Sequence, residues 1–424
     1  MIRKYLLFAM LATSVGAIAQ TETSGRSLYH AEATKYSALD HTKLRVSLNF
    51  EKKELYGEEW LTAAPYFYPT DSLMLDAQAM LIHSVNLSDK KGTIGKPLTY
   101  KYDKDRLTIR LDKTYQRGEK YTIYIKYTAQ PENVGKHGSL AISDAKGLYF
   151  INSNKEDKDR PIQVWSQGET KANSCWFPTI DETNQKSSQE IYITVPDKFV
   201  TLSNGVLSSS KKDGKGMRTD YWVMNQKHAP YLFFLGAGEY AEVKDKPWRG
   251  KVPIAYYVEK EYADVAKRIF GKTSEMIEFY SKRLDYDYPW PKYYQMTAQE
   301  YVSGAMENTT AVLHSSMAQQ DAESLNDQNI WEATIAHELF HHWFGDLVTA
   351  ESWANLTVNE SFANYSEYLW LEYKYGKDYA DYHMNRDITG YKNSGSFDKD
   401  LVRFNYKERE DKSFHYLCNI DRKS

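Results

Sequence analysis

Two hydrophobic periods divide the chain. From about Leu28 to Tyr240, apolar residues recur at every second position. Leu44, Val46, Leu48 and Phe50 alternate with Lys43, Arg45, Ser47 and Asn49. Tyr121, Ile123, Ile125 and Tyr127 repeat the pattern, and Ile191, Ile193 and Val195 do so before Pro196. Such alternation turns one face of a strand to a core and the other to water. The turn pairs Lys91-Gly92, Arg117-Gly118 and Asn204-Gly205 separate the runs, as expected of an antiparallel all-β region. The charged stretch 154–160 (NKEDKDR) reads as a solvated loop.

After about Lys251 the period lengthens. Val265, Ile269, Phe270, Thr273, Met276, Ile277, Tyr280 and Leu284 fall at three- and four-residue steps. This predicts one amphipathic helix ending before Tyr288-Pro289-Trp290-Pro291, where two prolines stop helical geometry. A second helix is expected over 329–344, stopping at Gly345, and a third over 357–375, stopping at Gly376. The predicted architecture is multidomain: an all-β region over 26–245, then a mainly helical α+β region over 246–424.

Composition narrows the function classes. A chain of 424 residues, 42% hydrophobic and 26% charged, suits about two to four globular domains. A net charge of −3 offers no basic face for nucleic acid. The 35 tyrosines fit a strand-rich protein. At the N-terminus, Arg3 and Lys4 precede the apolar run 5–12 (YLLFAMLA), and Ala17-Ile18-Ala19 follows. That order predicts a signal peptide over 1–19 and export to the periplasm or exterior. No later segment approaches 18 uninterrupted apolar residues, so stable membrane insertion is not expected. Two cysteines, Cys175 and Cys418, make no disulfide framework and lack metal-site spacing. Their pairing is not fixed by sequence.

The second predicted helix carries His337-Glu338-Leu339-Phe340-His341. Histidines four apart stand one turn apart on one helix face, so both rings can reach one zinc ion. Glu338 sits beside that face, where a general base is needed. Ile335, Ala336, Leu339, Phe340, Trp343 and Phe344 make the helix apolar almost all round, hence buried. Buried imidazoles and carboxylates need strong partners. A third ligand must come from elsewhere. Glu360, early on the next helix, would return over the histidines in a helix hairpin. Asp346 and Glu351, in the connection, are rivals. Glu367, seven residues after Glu360, shares its face and either orients a ligand histidine or is an ordinary exposed glutamate.

These residues resemble the gluzincin aminopeptidases, the aminopeptidase N group. The run HELFHHWFGDLVT is similar to that family's HExxH-x18-E zinc motif, with Asn359-Glu360-Ser361-Phe362-Ala363 resembling its NEGFA segment. Gly304-Ala305-Met306-Glu307-Asn308 is the family's GAMEN signature, and Ser166 to Glu182 resembles its TQ-x-E…FPxxDEP stretch. The resemblance implies an N-terminal β-sandwich or saddle followed by a thermolysin-like zincin domain, with one zinc per chain on His337, His341 and Glu360. It implies that Glu338 is the catalytic base. It also implies that Glu307 and Glu169 bind the free α-amino group of a peptide, while the backbone around Gly304, Ala305, Met306 and Asn308 lines the substrate. One departure stands out. The family's oxyanion-stabilising tyrosine lies some sixty residues beyond the third ligand, followed by Lys-Gly; here Tyr416 is the nearest candidate and lacks those neighbours. The catalytic region is accordingly expected to be truncated. Rival readings are a non-catalytic zinc- or peptide-binding fragment and an epoxide-hydrolase-type relative.

Overall fold

The computed structural model describes residues 35–89, 91–135 and 142–393. The segment 1–19 expected to be a signal peptide, Tyr416 and Cys418 lie outside these residues.

The alternating runs become an eight-stranded sheet. Its spatial order is Val206–Lys212, Met217–His228, Ser187–Pro196, Ser37–Asn49, Glu54–Pro65, Tyr121–Ala129, Met80–Ser88 and Ile94–Pro97. All neighbours are antiparallel except Ser37–Asn49 with Ser187–Pro196. That parallel pair departs from the purely antiparallel expectation. A parallel neighbour needs a long crossover, and here the intervening chain builds most of the other strands. The pair aligns Leu44 with Ile191 and Val46 with Ile193, and all four enter one core.

Two smaller sheets complete the β region. A three-stranded sheet (Thr70–Asp76, Arg106–Tyr115, Tyr100–Asp103) adds Leu73, Leu75, Leu107 and Ile109 to that core. A four-stranded antiparallel sheet runs Val200–Ser203, Leu235–Gly238, Gln163–Ser166, Leu148–Ile151. The chain leaves this sheet at Ser166 and reaches Glu169 three residues later.

The second half is not mainly helical from its start. A five-stranded mixed sheet spans Ala241–Lys244, Ile254–Val258, Tyr293–Ala298, Ala311–Ser315 and Ala305–Met306, in that spatial order. Its three inner strands are parallel and its outer two antiparallel. Both faces are covered. Ala255, Tyr257, Met296 and Leu313 pack into the β-region core, whereas Ile254, Tyr256, Val258 and Val312 pack against helices. Strands buried on both faces read as unbroken apolar runs, so IAYYV and AVLHS showed no period of two.

Four helices cover the far face: α1 Thr273–Arg283, α2 Glu332–Phe340, α3 Thr357–Tyr375 and α4 Lys377–Asn393. The single helix predicted over 265–284 is split. A short turn of helix, Ala266–Phe270, ends at Gly271, and the Thr273 hydroxyl donates to the Phe270 carbonyl at 2.6 Å. Helix α2 is shorter than the predicted 329–344 because the chain turns after Phe340 toward Gly345, whose φ of +144° suits glycine. Helix α3 spans the predicted residues. Tyr280 on α1 donates to the Ser366 carbonyl at 2.8 Å, and Trp370 on α3 donates to Glu332 on α2 at 2.8 Å. These bonds lock α1, α2 and α3 together. Among the described residues no helix is long and apolar enough to cross a membrane. Cys175 is a buried free thiol.

Candidate active site

Helix α2 is buried because Ile335, Ala336, Leu339 and Phe340 leave it no polar face wide enough for water. Its 3.6-residue turn stacks His337 under His341, with their Nε2 atoms 3.0 Å apart. The connection then folds back. The Asn359 side chain accepts from the Ala350 N–H at 3.0 Å and fixes the start of α3. Glu360, in the first turn of α3, is thereby brought to the two rings. Its carboxylate oxygens lie 3.4 Å from His337 Nε2 and 3.7 Å from His341 Nε2.

These three donor atoms suit a divalent metal. Ligands about 2.0–2.1 Å from a tetrahedral zinc-like ion stand about 3.3 Å from each other, and the observed separations bracket that value. The outer ring nitrogens are also committed. His337 Nδ1 is 2.9 Å from Glu367 Oε1, and His341 Nδ1 is 3.0 Å from the Phe344 carbonyl. Those acceptors take the Nδ1 protons and leave the Nε2 lone pairs facing Glu360. Of the two readings of Glu367, the geometry gives it the contact to His337. The rivals stand apart. Glu351 is exposed, and Asp346 is buried but joins neither metal-competent cluster.

Carboxylates crowd the rest of the site. Glu338, Glu307 and His341 form a second cluster, with donor atoms within 4.8 Å of one another. Tyr231, from the β region, donates to Glu307 at 3.3 Å and accepts from Asn359 at 3.1 Å. Glu169 lies beside them, and its Oε1 has no hydrogen-bond partner among the described residues. Burial raises the pKa of Glu169 well above the usual carboxylate range, and the charges of Glu307, Glu360 and Glu338 raise it further. Burial does the same to Glu338, with His337 opposing and Glu307 and Glu360 adding. Glu307 is raised by burial and Glu360, against the pull of His341 and His337. Burial alone would lower His337, but Glu360 and Glu367 outweigh it and push its pKa well up. Five carboxylates thus surround two imidazoles, a surplus of negative charge that cations would neutralise.

The Ala305–Met306 strand forms the rim. Ala305 pairs with His314 and Met306 with Leu313, and the Gly304 carbonyl accepts from Ser315 at 2.8 Å. It is the outermost strand of its sheet, so its other side pairs with no strand among the described residues. Asn308 is buried, and neither of its side-chain polar atoms has a hydrogen-bond partner among the described residues.

Sequence reasoning did not single out Tyr231, Tyr301 or the bridging role of Asn359. Tyr301 accepts a hydrogen bond from Gln167 at 3.0 Å, and the carboxylates Glu338, Glu169 and Glu307 lie close enough to add to the rise that burial gives its pKa. Tyr231 and Tyr301 are two of 35 tyrosines, and none of the three residues has a spacing signal to mark its role.

Comparison with known proteins agrees with this geometry. Residues 36–232 match the Peptidase M1 N-terminal domain and residues 269–411 the Peptidase family M1 domain. The puromycin-sensitive aminopeptidase of Caenorhabditis elegans is 27% identical over 310 residues, 71% of this chain and 31% of the relative. Aminopeptidase N of Lactobacillus helveticus is 28% identical over 344 residues, 78% of this chain and 37% of the relative. The chain therefore spans about a third of the length of these curated relatives. The solved structure of native yeast LTA4 hydrolase superimposes with a TM-score of 0.69 at 20% identity, covering 85% of this chain and 52% of that one. That likeness establishes the shared fold: a multi-sheet β region followed by a helical one. Two models of one family, covering the β region and the metal-competent helices in the right order, leave one assignment: the chain belongs to peptidase family M1.

Proposed function

We propose that this chain carries the catalytic site of a zinc aminopeptidase that removes N-terminal residues from peptides. The observation that carries the reading is the convergence of His337, His341 and Glu360 within reach of two further buried carboxylates, Glu307 and Glu338. We assign the three to one zinc ion, since His₂Glu is a common catalytic zinc set. Bound there, zinc supplies Lewis acidity to a water and to the scissile carbonyl.

Glu338 takes the proton from the attacking water and passes it to the leaving amine. Its carboxylate stands beside the metal-competent donors, with an oxygen within 4.8 Å of a His341 ring nitrogen, where a general base must lie. Glu307 and Glu169 receive the substrate ammonium. Their burial lets the charge–charge attraction act in a low-dielectric setting, and a free α-amine is substantially protonated near pH 7. The open edge of Ala305–Met306 pairs with the extended peptide by strand addition. Together these contacts hold the first peptide bond near Glu338. The amine-binding pair favours a peptide over the epoxide reading, because an epoxide offers no terminal ammonium. We also propose export through the segment 1–19; the division expected at 245/246 falls just after Ala241–Lys244, the strand that opens the second-half sheet by pairing with Ile254–Val258.

Elemental analysis of the purified chain, with hydrolysis of aminoacyl reporters before and after chelation, tests the reading. One zinc per chain and chelator-sensitive release of the N-terminal residue are expected. Metal content near zero after zinc supplementation refutes the assignment.

A further inference from the structure

The segment that follows Glu307 is held in a conformation its residues do not favour. Thr310 has φ +69°, a left-handed geometry that is costly for a β-branched residue. Such a conformation persists only where surrounding contacts impose it, and Thr310 is fully buried among several. Its hydroxyl accepts from the Gly205 N–H at 2.8 Å and from Lys292 Nζ at 3.0 Å. Its N–H donates to His342 Nε2 at 3.0 Å, and its carbonyl accepts from Tyr294 at 3.1 Å. Next to it, the Thr309 carbonyl accepts from Asn204 at 2.8 Å, and the Thr309 hydroxyl lies 3.2 Å from His228 Nδ1.

The source of these contacts matters. Asn204 and Gly205 form a turn of the β region. Asn204 is itself fixed there, donating to the Leu232 carbonyl and accepting from Phe234. Gly205 has φ +72°, and a Cβ at that position would collide with the Val223 carbonyl oxygen. The buried Lys292 also donates to the Ser203 carbonyl at 2.7 Å, in the same turn. A rigid β-region turn therefore grips the two residues that follow Glu307-Asn308.

We propose that Thr310 is a positioning residue: through its hydroxyl, the Ser203–Gly205 turn and Lys292 hold the 307–310 segment so that Glu307 meets the substrate ammonium. This inference rests on the aminopeptidase reading. The hydroxyl and the N–H do separable work. The N–H ties the segment to the metal-bearing helix through His342, while the hydroxyl ties it to the β region. Thr310→Val keeps the shape and the N–H but leaves the Gly205 N–H and Lys292 without their acceptor. It should loosen Glu307 and leave the metal helix in place.

The test uses the zinc-loaded chain, a free-amine dipeptide reporter and its Nα-acetylated analogue. Thr310→Val is expected to raise KM for the free-amine substrate by about tenfold to a hundredfold, since small misplacements at a recognition site are costly. Zinc content should stay at one per chain, and kcat should change by less than about threefold. Thr310→Ser, which restores the acceptor, should return KM to near wild type. Lys292→Met, which removes the second donor and replaces a buried amine with an apolar chain, should raise KM in the same direction and carries the test if Thr310→Val fails to fold. A KM within about twofold of wild type in whichever of these variants folds overturns the inference, as does loss of zinc from Thr310→Val. If the wild type itself cleaves free and acetylated substrates equally, the amine-recognition reading fails, and this inference falls with it.

Discussion

Glu169 offers the sharpest test of the site's electrostatics, because function and stability pull on it in opposite directions. It is 5% exposed, and its Oε1 lacks a partner among the described residues. Burial and then the charges of Glu307, Glu360 and Glu338 raise its pKa well above normal. An acid whose folded pKa exceeds its unfolded value destabilises the fold as pH rises past the unfolded value, near 4.3 for glutamate. The loss grows until the folded pKa is passed and then stays constant. Glu169→Gln removes that loss while nearly keeping the shape. A tenfold weaker ionisation in the folded state is worth about 1.4 kcal/mol, so metal-free Glu169→Gln should be more stable than wild type by at least about that amount at pH 8. The difference should vanish near pH 4, where the wild-type carboxyl is neutral. Urea denaturation of both chains in chelator, from pH 4 to 8, reads this directly. With zinc bound, the same substitution should weaken a free-amine peptide by about 2–5 kcal/mol, the range for breaking a buried charge pair. A Glu169→Gln chain that is less stable at pH 8, or whose advantage does not depend on pH, would show that Glu169 is not a strained acid awaiting a cation.

Further outcomes follow from individual contacts. His337→Ala and His341→Ala should lose zinc, whereas Glu338→Gln should keep zinc and lose at least about 10²-fold in kcat, as metal analysis and reporter hydrolysis will show. Glu367→Gln should weaken zinc about 10- to 100-fold in a chelator competition, because it holds His337 Nδ1 at 2.9 Å. Glu332→Ala removes the acceptor shared by Lys272, Trp370 and Tyr375, and the denaturation midpoint should fall by the equivalent of about 2–4 kcal/mol. Glu59 is wholly buried in the β core with neither oxygen partnered among the described residues, and burial raises its pKa well above normal. Glu59→Leu should therefore stabilise the chain at pH 8, with the gain shrinking as the pH falls toward 4; a gain equal at both values would rule out the neutral buried acid.

What the sequence made legible depended on how each element is solvated. The alternation at Leu44–Phe50 and Ile191–Val195 was readable because each strand has one face turned from the core. The strands IAYYV and AVLHS, covered on both sides, carried no such signal, so a whole sheet was read as part of a helical region. Helix α3 was read with its bounds because Gly376 stops it with a φ of +89°. The helix over 265–284 was read as continuous because the apolar spacing continues across the break at Gly271. At the site, ligand spacing along one helix is a local property and was visible in His337 and His341. That Tyr231 would reach Glu307, or that Asn204 and Gly205 would grip Thr309 and Thr310, depends on tertiary placement. The pair Asn204-Gly205 was legible only as a turn.

The acidic surplus and the division of the chain have a common logic. Glu307, Glu338, Glu360 and Glu367 come from the second half, where a metal alone could balance part of their charge. The β region adds Glu169, a further buried acid, and Tyr231, whose phenol reaches Glu307 and Asn359 together. A structural zinc site would gain nothing from that extra carboxylate, since His337, His341 and Glu360 already supply three ligands and repulsion from Glu169 destabilises the empty fold. The arrangement makes sense if a second cation enters after the metal. A substrate ammonium meets that requirement and a neutral, acetylated terminus does not. Under the proposed function the β region would share in the recognition chemistry, and its grip on the segment after Glu307 would keep the two carboxylates from relaxing apart before the substrate arrives.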